Sequence, residues 1–173
     1  RKLGFSASRT MQVAQRLYEG VDIGGETTGL ITYMRTDGVS MDEGAMREIR
    51  SAIGSRFGNE YVPDAPRKYA SKIKNAQEAH EAIRPTDPQR FPDRMKLEGD
   101  QARLYDLIWK RAMASQMEAA SIERTSVDLV EKTGTVELRA SGQVILFDGF
   151  LKLYQEGRDD EEDEENRRLP QLK

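Results

Sequence analysis

Apolar residues recur at helical spacing in three stretches of this chain, and the breaks between them are rich in glycine and proline. Residues 6–19 read as a helix. Ser6 or Ser8 is its cap, Met11, Ala14, Leu17 and Tyr18 form its apolar stripe, and Gly20 ends it. Residues 41–57 read as a second helix with Met46, Ile49, Ile53 and Phe57 three and four apart. Ser40 with Glu43 three residues on is its capping box, and Gly58-Asn59 is its stop. The longest helix is expected over residues 99–117, capped by Asp100, with Leu104, Leu107, Ile108, Ala112 and Met113 on the packed face and Trp109 beside it.

The connections carry different signals. Residues 20–29, with four glycines, read as a loop. The brief apolar run at 30–34 reads as a short strand or extended arm that turns through Gly38. Pro63 and Pro66 mark residues 60–73 as irregular. A short helix starts at Asn75 or Ala76, runs through Ala79 and Ile83, and ends at Pro85. Pro88 and Pro92 make residues 86–95 a loop. Beyond residue 120 the texture becomes alternating and rich in Val, Thr and Leu. Residues 122–131, 136–140 and 143–153 then form an antiparallel meander with turns at Lys132-Thr133-Gly134 and Ser141-Gly142. The last strand, carrying Phe147, Phe150 and Tyr154, is expected to continue near 168–172. The fold class is therefore α+β: a mainly helical domain over 1–120, then part of an antiparallel β domain over 121–173.

Composition narrows the chemistry. The chain has 173 residues and is 37% hydrophobic and 33% charged, with no cysteine and one histidine. Disulfides, thiolate sites and the usual zinc sites are excluded. No run is long enough to span a bilayer, so no membrane partner is expected. The net charge of -3 hides an asymmetry. Residues 159–165 are seven consecutive acids, and without them 27 basic residues face 23 acidic ones. The body is mildly basic, which permits a polyanionic partner, while the acidic run reads as a solvated loop. The first residues, Arg1-Lys2-Leu3-Gly4-Phe5, hold neither an initiator methionine nor a signal sequence, so the chain reads as a piece of something longer.

Two constellations hold candidate chemistry. In Gly29-Leu30-Ile31-Thr32-Tyr33-Met34-Arg35-Thr36-Asp37, a tyrosine precedes an arginine by two positions. On a strand both would share a face, the phenolate attacking phosphorus and the guanidinium holding the phosphate oxygens. The same pattern also fits a core tyrosine and a surface arginine paired with an acid. In Gln77-Glu78-Ala79-His80-Glu81-Ala82-Ile83-Arg84-Pro85, a helix would align Gln77, His80 and Arg84 to grip a phosphate, with His80 able to relay a proton. A solvated helix face fits equally. Arg9, Lys68, Lys72 and Lys74 are candidate backbone contacts, and Tyr69 adds a stacking ring. Asp37, Asp42 and Glu43 could hold magnesium, although helix capping accounts for them as simply. Gly24-Gly25 lacks the lysine of a phosphate-binding loop, so nucleotide hydrolysis is not indicated.

The tyrosine stretch resembles the active-site motif of bacterial DNA topoisomerase I, the type IA class. Ala14-Gln15-Arg16-Leu17-Tyr18-Glu19 resembles the family's preceding helix. Residues 76–86 resemble its histidine motif, and Leu104-Tyr105 with Leu107-Ile108-Trp109 continues the likeness. The resemblance implies that Tyr33 attacks a phosphodiester of single-stranded DNA to form a 5'-phosphotyrosyl bond, with strand passage and religation following without ATP. It implies that Arg35 stabilises phosphate charge and His80 supports phosphate binding, so Tyr33, Arg35 and His80 are the catalytic candidates. Arg9, Asp37, Lys72, Gln77 and Arg84 are the DNA-binding candidates, Asp37 as a residue that shapes the pocket.

The departures from the family pattern are equally specific. The Asp-x-Asp-x-Glu cluster by which the family's Toprim domain binds magnesium is not present, and Gly38 stands where a serine is usual. The chain thus looks like the tyrosine-bearing helical domain plus part of the β domain forming the arch of a toroid. Mg2+ is expected in the whole enzyme, on the Toprim domain, with no metal in this piece. The expected partners are single-stranded DNA and the remaining domains of the same polypeptide. A monomeric full enzyme, a crystal dimer of the fragment, an inactive isolated fragment and a cytoplasmic, nucleoid-associated location are further expectations. The alternative is a non-catalytic helical module that binds nucleic acid or protein. A tyrosine recombinase or relaxase is disfavoured by the single histidine.

Overall fold

The computed structural model describes residues 2–69, 81–134 and 137–155. The chain divides into two compact units, one running to Glu118 and one beginning at Ala119. The architecture is mixed, with helices and two small antiparallel sheets.

The first unit is built on three helices. Helix α1, Ala7–Glu19, starts where the Ser6 hydroxyl accepts the Arg9 N–H at 3.2 Å, as its cap position predicts. It stops at Gly20, whose φ of 134° no side-chain-bearing residue adopts cheaply. Its buried face is Val13, Ala14 and Leu17, whereas Met11 and Tyr18 are exposed. The apolar stripe is thus rotated from the expected one, because Val13 rather than Met11 faces the helix it packs against. Strands β1, Val21–Asp22, and β2, Thr27–Thr28, make a two-rung hairpin inside the expected loop.

Helix α2, Glu43–Phe57, buries Met46, Ile49 and Ile53 as their spacing requires. Its cap is Asp42, not Ser40: one carboxylate oxygen accepts the N–H groups of Gly44 at 2.7 Å and Ala45 at 3.2 Å. These bonds hold the Asp42 carboxyl below its ordinary range, the Ala45 N–H contributing most. Helix α3, Gly99–Ser115, lies against both α1 and α2. Its cap position is Glu98, and Asp100 sits in the first turn and accepts from Arg9 instead of capping. The buried face is Leu104, Tyr105, Trp109, Ala112 and Met113, so Trp109 is central, while Leu107 and Ile108 are only half-buried. The polar tips of the two rings hold the proline-rich loop: Tyr105 Oη donates to Arg90 O at 2.9 Å and Trp109 Nε1 to Pro88 O at 3.0 Å. Burial pushes the Tyr105 phenol pKa up strongly, and the nearby Asp87 charge adds to the effect.

Among the described residues, the second unit is one long hairpin followed by a short 3₁₀ turn. β3, Ser121–Val130, pairs antiparallel with β4, Glu137–Phe147. Two strands stand where three were expected. Ser141 and Gly142 do not turn; they pair with Ser126 and Thr125 inside the ladder, the two serine hydroxyls 3.2 Å apart. The turn at Lys132-Thr133-Gly134 forms as expected, closed by Gly134 N–H to Glu131 O at 2.8 Å. β4 ends at Phe147, and Phe150 lies in a 3₁₀ turn, Gly149–Lys152, because Asp148 takes up a helical conformation. The strand continuation near 168–172 and the acidic run lie outside the described residues.

Candidate active site around Tyr33

The run at 30–34 is not a strand. The backbone bends at Thr32, Met34 and Arg35, and its one ladder contact is a bridge between Ile31 and Pro85. The reason lies in the partner: residues 82–86 form no regular element and contain Pro85, which has no N–H to extend a ladder. What replaces the ladder is a set of specific bonds. Leu30 O accepts from Thr86 N at 3.0 Å, and Thr32 N donates to Arg84 O at 2.9 Å. The Thr32 hydroxyl donates to Ala82 O at 2.9 Å and accepts the Arg84 N–H at 3.0 Å. Thr86 Oγ1 donates to Gly29 O at 2.8 Å. On the far side of the loop, Ser40 O accepts from Ala82 N at 2.8 Å.

Tyr33, Arg35 and Asp37 therefore ride on a loop, 33–39, whose two feet, Thr32 and Ser40, both stand on residues 82–84. A second anchor joins the loop to α1. Leu30 N donates to Leu17 O at 2.7 Å, and Leu30 and Ile31 are wholly buried. Gly29 must be glycine here, since a Cβ would come within 2.6 Å of Tyr18 O.

Tyr33 is half-buried, and the Tyr18 ring meets it edge-on with centroids 5.4 Å apart at 71°. Arg35 is exposed and, among the described residues, has no ion pair. Asp37 is exposed beside it; Thr36 Oγ1 accepts the Gly38 N–H at 2.9 Å and sets the bend there. The loop bends between Tyr33 and Arg35, so the shared-face geometry expected of a strand does not hold them together.

The remaining candidates divide. Arg84 comes to the site through its backbone, while its guanidinium makes a bidentate pair with Glu81 at 2.8 and 3.0 Å and donates to Pro85 O at 3.0 Å. Its side chain is only 13% exposed. Arg9 pairs with Asp100, its Nη2 at 2.6 Å, and so joins α1 to the first turn of α3. Lys68 pairs with Glu43 at 3.1 Å beside a cleft of about 220 Å³ that Val39, Met41, Met46, Arg67 and Tyr69 help to line. His80, Gln77, Lys72 and Lys74 lie outside the described residues, as does most of the helix expected from 75 or 76. Its described end, 81–83, is not helical, because Ser40 and Thr32 take the Ala82 N–H and the Ala82 and Arg84 carbonyls.

Thr32 is the neighbour that the sequence did not single out, Tyr18 was expected only in the apolar stripe of α1, and the pairing of Glu81 with Arg84 is the one expected of a solvated helix face. Thr32 lies inside the quoted motif, next to the tyrosine, and that adjacency is the one signal that could have found it.

Magnesium does not fit these residues. No group of three or more His, Cys, Asp or Glu side chains among the described residues could hold a metal. Asp42 and Glu43 are occupied by the α2 cap and by Lys68. Also among the described residues, no helix is long and apolar enough to cross a membrane.

The loop that carries Tyr33 is thus laced to α1 and to the segment that follows His80 in the sequence, and comparisons with known proteins show the family in which this arrangement stands. The family model described as DNA topoisomerase matches residues 1–173. The DNA topoisomerase 1 of Rickettsia bellii is 55% identical over 175 residues, covering 100% of this chain and 22% of that protein. That of Zymomonas mobilis is 59% identical over 160 residues, covering 92% of this chain and 12% of the relative. The full-length topoisomerase I of Thermotoga maritima superposes with a TM-score of 0.75 at 39% identity, over 94% of this chain and 26% of that one. The chain belongs to the type IA DNA topoisomerase family. It spans about a fifth of the length of the curated relatives first matched.

Proposed function

We propose that this chain is the tyrosine-bearing part of a type IA topoisomerase, and that Tyr33 is its nucleophile. The observation that carries the reading is the laced loop. It holds a half-buried tyrosine beside an exposed arginine that has no ion pair among the described residues, inside a chain that matches the family from end to end. In the reaction the Tyr33 oxygen bonds to phosphorus as the bond from phosphorus to the 3' oxygen breaks. The phenol proton leaves and the 3' oxygen gains one. Reversal reseals the strand, and because the phosphotyrosyl bond conserves the energy of the phosphodiester, no ATP is needed.

Arg35 neutralises charge on the phosphate as it becomes pentacoordinate. His80 and Gln77 precede the segment that supports the loop and serve phosphate binding. Asp37 shapes the rim of the pocket. Arg84 acts through Glu81 and the backbone rather than by contact with DNA, and Arg9 and Lys72 add backbone contacts away from the scissile bond. A metal-binding domain elsewhere in the polypeptide is the proposed partner that brings magnesium, since no group among the described residues could hold a metal, and the long hairpin is proposed as part of an arch. The whole enzyme works as a monomer in the cytoplasm, on single-stranded DNA.

The test is a covalent adduct. The longer enzyme that contains this segment is incubated with magnesium and end-labelled single-stranded DNA, and the labelled residue is mapped. The expected result is an adduct on Tyr33 that Tyr33→Phe abolishes. An adduct that persists in Y33F overturns the reading. DNA binding without any adduct from the wild-type enzyme would favour a binding module instead.

A further inference from the structure

We infer that Thr32 is a positioning residue for the nucleophile, and that its hydroxyl sets where Tyr33 stands. The inference rests on the reading of Tyr33 given above. Thr32 is the residue immediately before the tyrosine, and it makes three hydrogen bonds to a segment 50 residues away. Its N–H donates to Arg84 O at 2.9 Å, its hydroxyl donates to Ala82 O at 2.9 Å, and the same hydroxyl accepts the Arg84 N–H at 3.0 Å.

The hydroxyl is used as donor and acceptor at once. A hydroxyl has one hydrogen and two lone pairs, so it can join the carbonyl of residue 82 to the N–H of residue 84. No apolar side chain does either. Residues 29–31 are tied to Leu17 and Thr86 before the foot is reached, and the two hydroxyl bonds add to the backbone N–H to fix the position and tilt of Thr32 itself.

The other foot carries one bond, Ser40 O to the Ala82 N–H at 2.8 Å. Between the feet, Met34 is buried and the Tyr33 ring meets that of Tyr18. Gly38 is held by Thr36, Arg35 and Asp37 are exposed, and the backbone bends three times between Thr32 and Arg35. The first foot is one covalent step from the tyrosine, so an error there reaches the phenol undamped. The segment it stands on begins two residues after His80 in the sequence, so the same hydroxyl ties the nucleophile's backbone to the chain that carries the histidine. Displacing a reacting group by about 1 Å costs on the order of a hundredfold in rate.

The experiment uses the longer enzyme with Thr32→Val, Thr32→Ser and Tyr33→Phe side by side. T32V keeps the shape and loses the hydroxyl; T32S keeps the hydroxyl. T32A is carried in parallel, because it opens room for water at the orphaned groups and secures a folded hydroxyl-free variant. Single-turnover cleavage of end-labelled single-stranded DNA is measured with its DNA affinity. The expected result for T32V and T32A is cleavage reduced roughly a hundredfold with DNA affinity unchanged within about twofold, and T32S returns within a few fold of wild type.

Cleavage by folded T32V or T32A at the wild-type rate overturns the inference. So does a T32S variant as slow as T32V, since the hydroxyl would then not be the operative group. Equal loss of affinity and rate in all three also overturns it, because the role would be general folding. Y33F separates the two claims: if it still forms the adduct, the nucleophile reading fails first; if it does not and T32V is fast, only the positioning role fails.

Discussion

Gln116 is, among the described residues, the buried polar side chain with no exposure, and its replacement gives the sharpest test of how the first unit is held together. Its amide oxygen accepts the Arg67 N–H at 3.1 Å and its amide nitrogen donates to Arg67 O at 2.8 Å. The side chain thus pairs with a backbone residue as a neighbouring strand would. It clips the end of α3 to the irregular connection around Pro63 and Pro66. Gln116→Leu keeps the volume and removes both bonds. Two backbone groups of Arg67 are then left without partners in a half-buried place, at about 1–3 kcal/mol each. The gain from burying extra hydrocarbon is of the order of 1–2 kcal/mol. The net loss is therefore roughly 3 kcal/mol, or about 10 °C in the unfolding midpoint of a unit this size. The assay is urea and thermal unfolding of the 173-residue chain, followed through Trp109, its single and buried tryptophan. That probe reports the first unit and not the hairpin. Gln116→Glu supplies a second arm: a protonated carboxyl can remake both bonds, but a carboxylate would face a carbonyl. Q116E should then be most stable at low pH and lose stability as pH rises through its elevated folded pKa. Unfolding of Q116L within about 1 kcal/mol of wild type would refute the idea that this clip is made of satisfied hydrogen bonds.

Two further perturbations are read directly from the bonds. The Asp42 carboxyl is held below its ordinary pKa of 3.8 by the Ala45 and Gly44 N–H groups, so its charge stabilises the fold above that value and ceases to as pH falls through the lower folded value. Wild type should therefore exceed Asp42→Asn in urea unfolding at neutral pH and converge on it in acid, and a difference that stays constant with pH would exclude a charged cap. Glu81→Ala strips a bidentate partner from an arginine that is 13% exposed, at an expected cost of about 1–2 kcal/mol, between the ranges for exposed and buried pairs. If E81A unfolds as wild type does, the pair is decoration on the segment that carries the tyrosine loop.

What the sequence made legible was local. The spacing of Met46, Ile49 and Ile53 puts them on one buried face of α2, and Ser6 caps α1 as its position before an apolar stripe requires. The failures came where a distant partner decided the outcome. Ser40 and Glu43 have capping-box spacing, but Asp42 lies where one carboxylate meets two N–H groups, and the stronger acceptor sets the helix start. Ser141-Gly142 has turn composition, yet Thr125 and Ser126 on the opposite strand offer a full set of ladder partners, and composition yields to pairing. The run at 30–34 has strand composition, but the chain segment available to it contains Pro85. The tyrosine motif was readable through its resemblance. The bonds that place it join residues 29–40 to residues 82–86, a distance along the chain that periodicity does not span.

This difference between composition and partner bears on the chemistry. A tyrosine in a regular strand would have its direction fixed by the pleat, with Arg35 beside it on the same face. Here the loop bends, so Tyr33 and Arg35 are oriented separately: the tyrosine by Thr32, its first foot, and by the ring of Tyr18, the arginine by an exposed stretch that leaves its guanidinium without an ion pair among the described residues. On the reading proposed for Tyr33, such a layout suits a tyrosine that bonds to phosphorus and is later released, with an arginine able to follow the phosphate. It also explains the burial pattern along the motif. Leu30 and Ile31 are locked in the core, Tyr33 is half-buried, and Arg35 and Asp37 are exposed, with Met34 turned inward between them. Burial thus alternates along the motif, Met34 returning the chain to the core between the half-buried Tyr33 and the exposed Arg35.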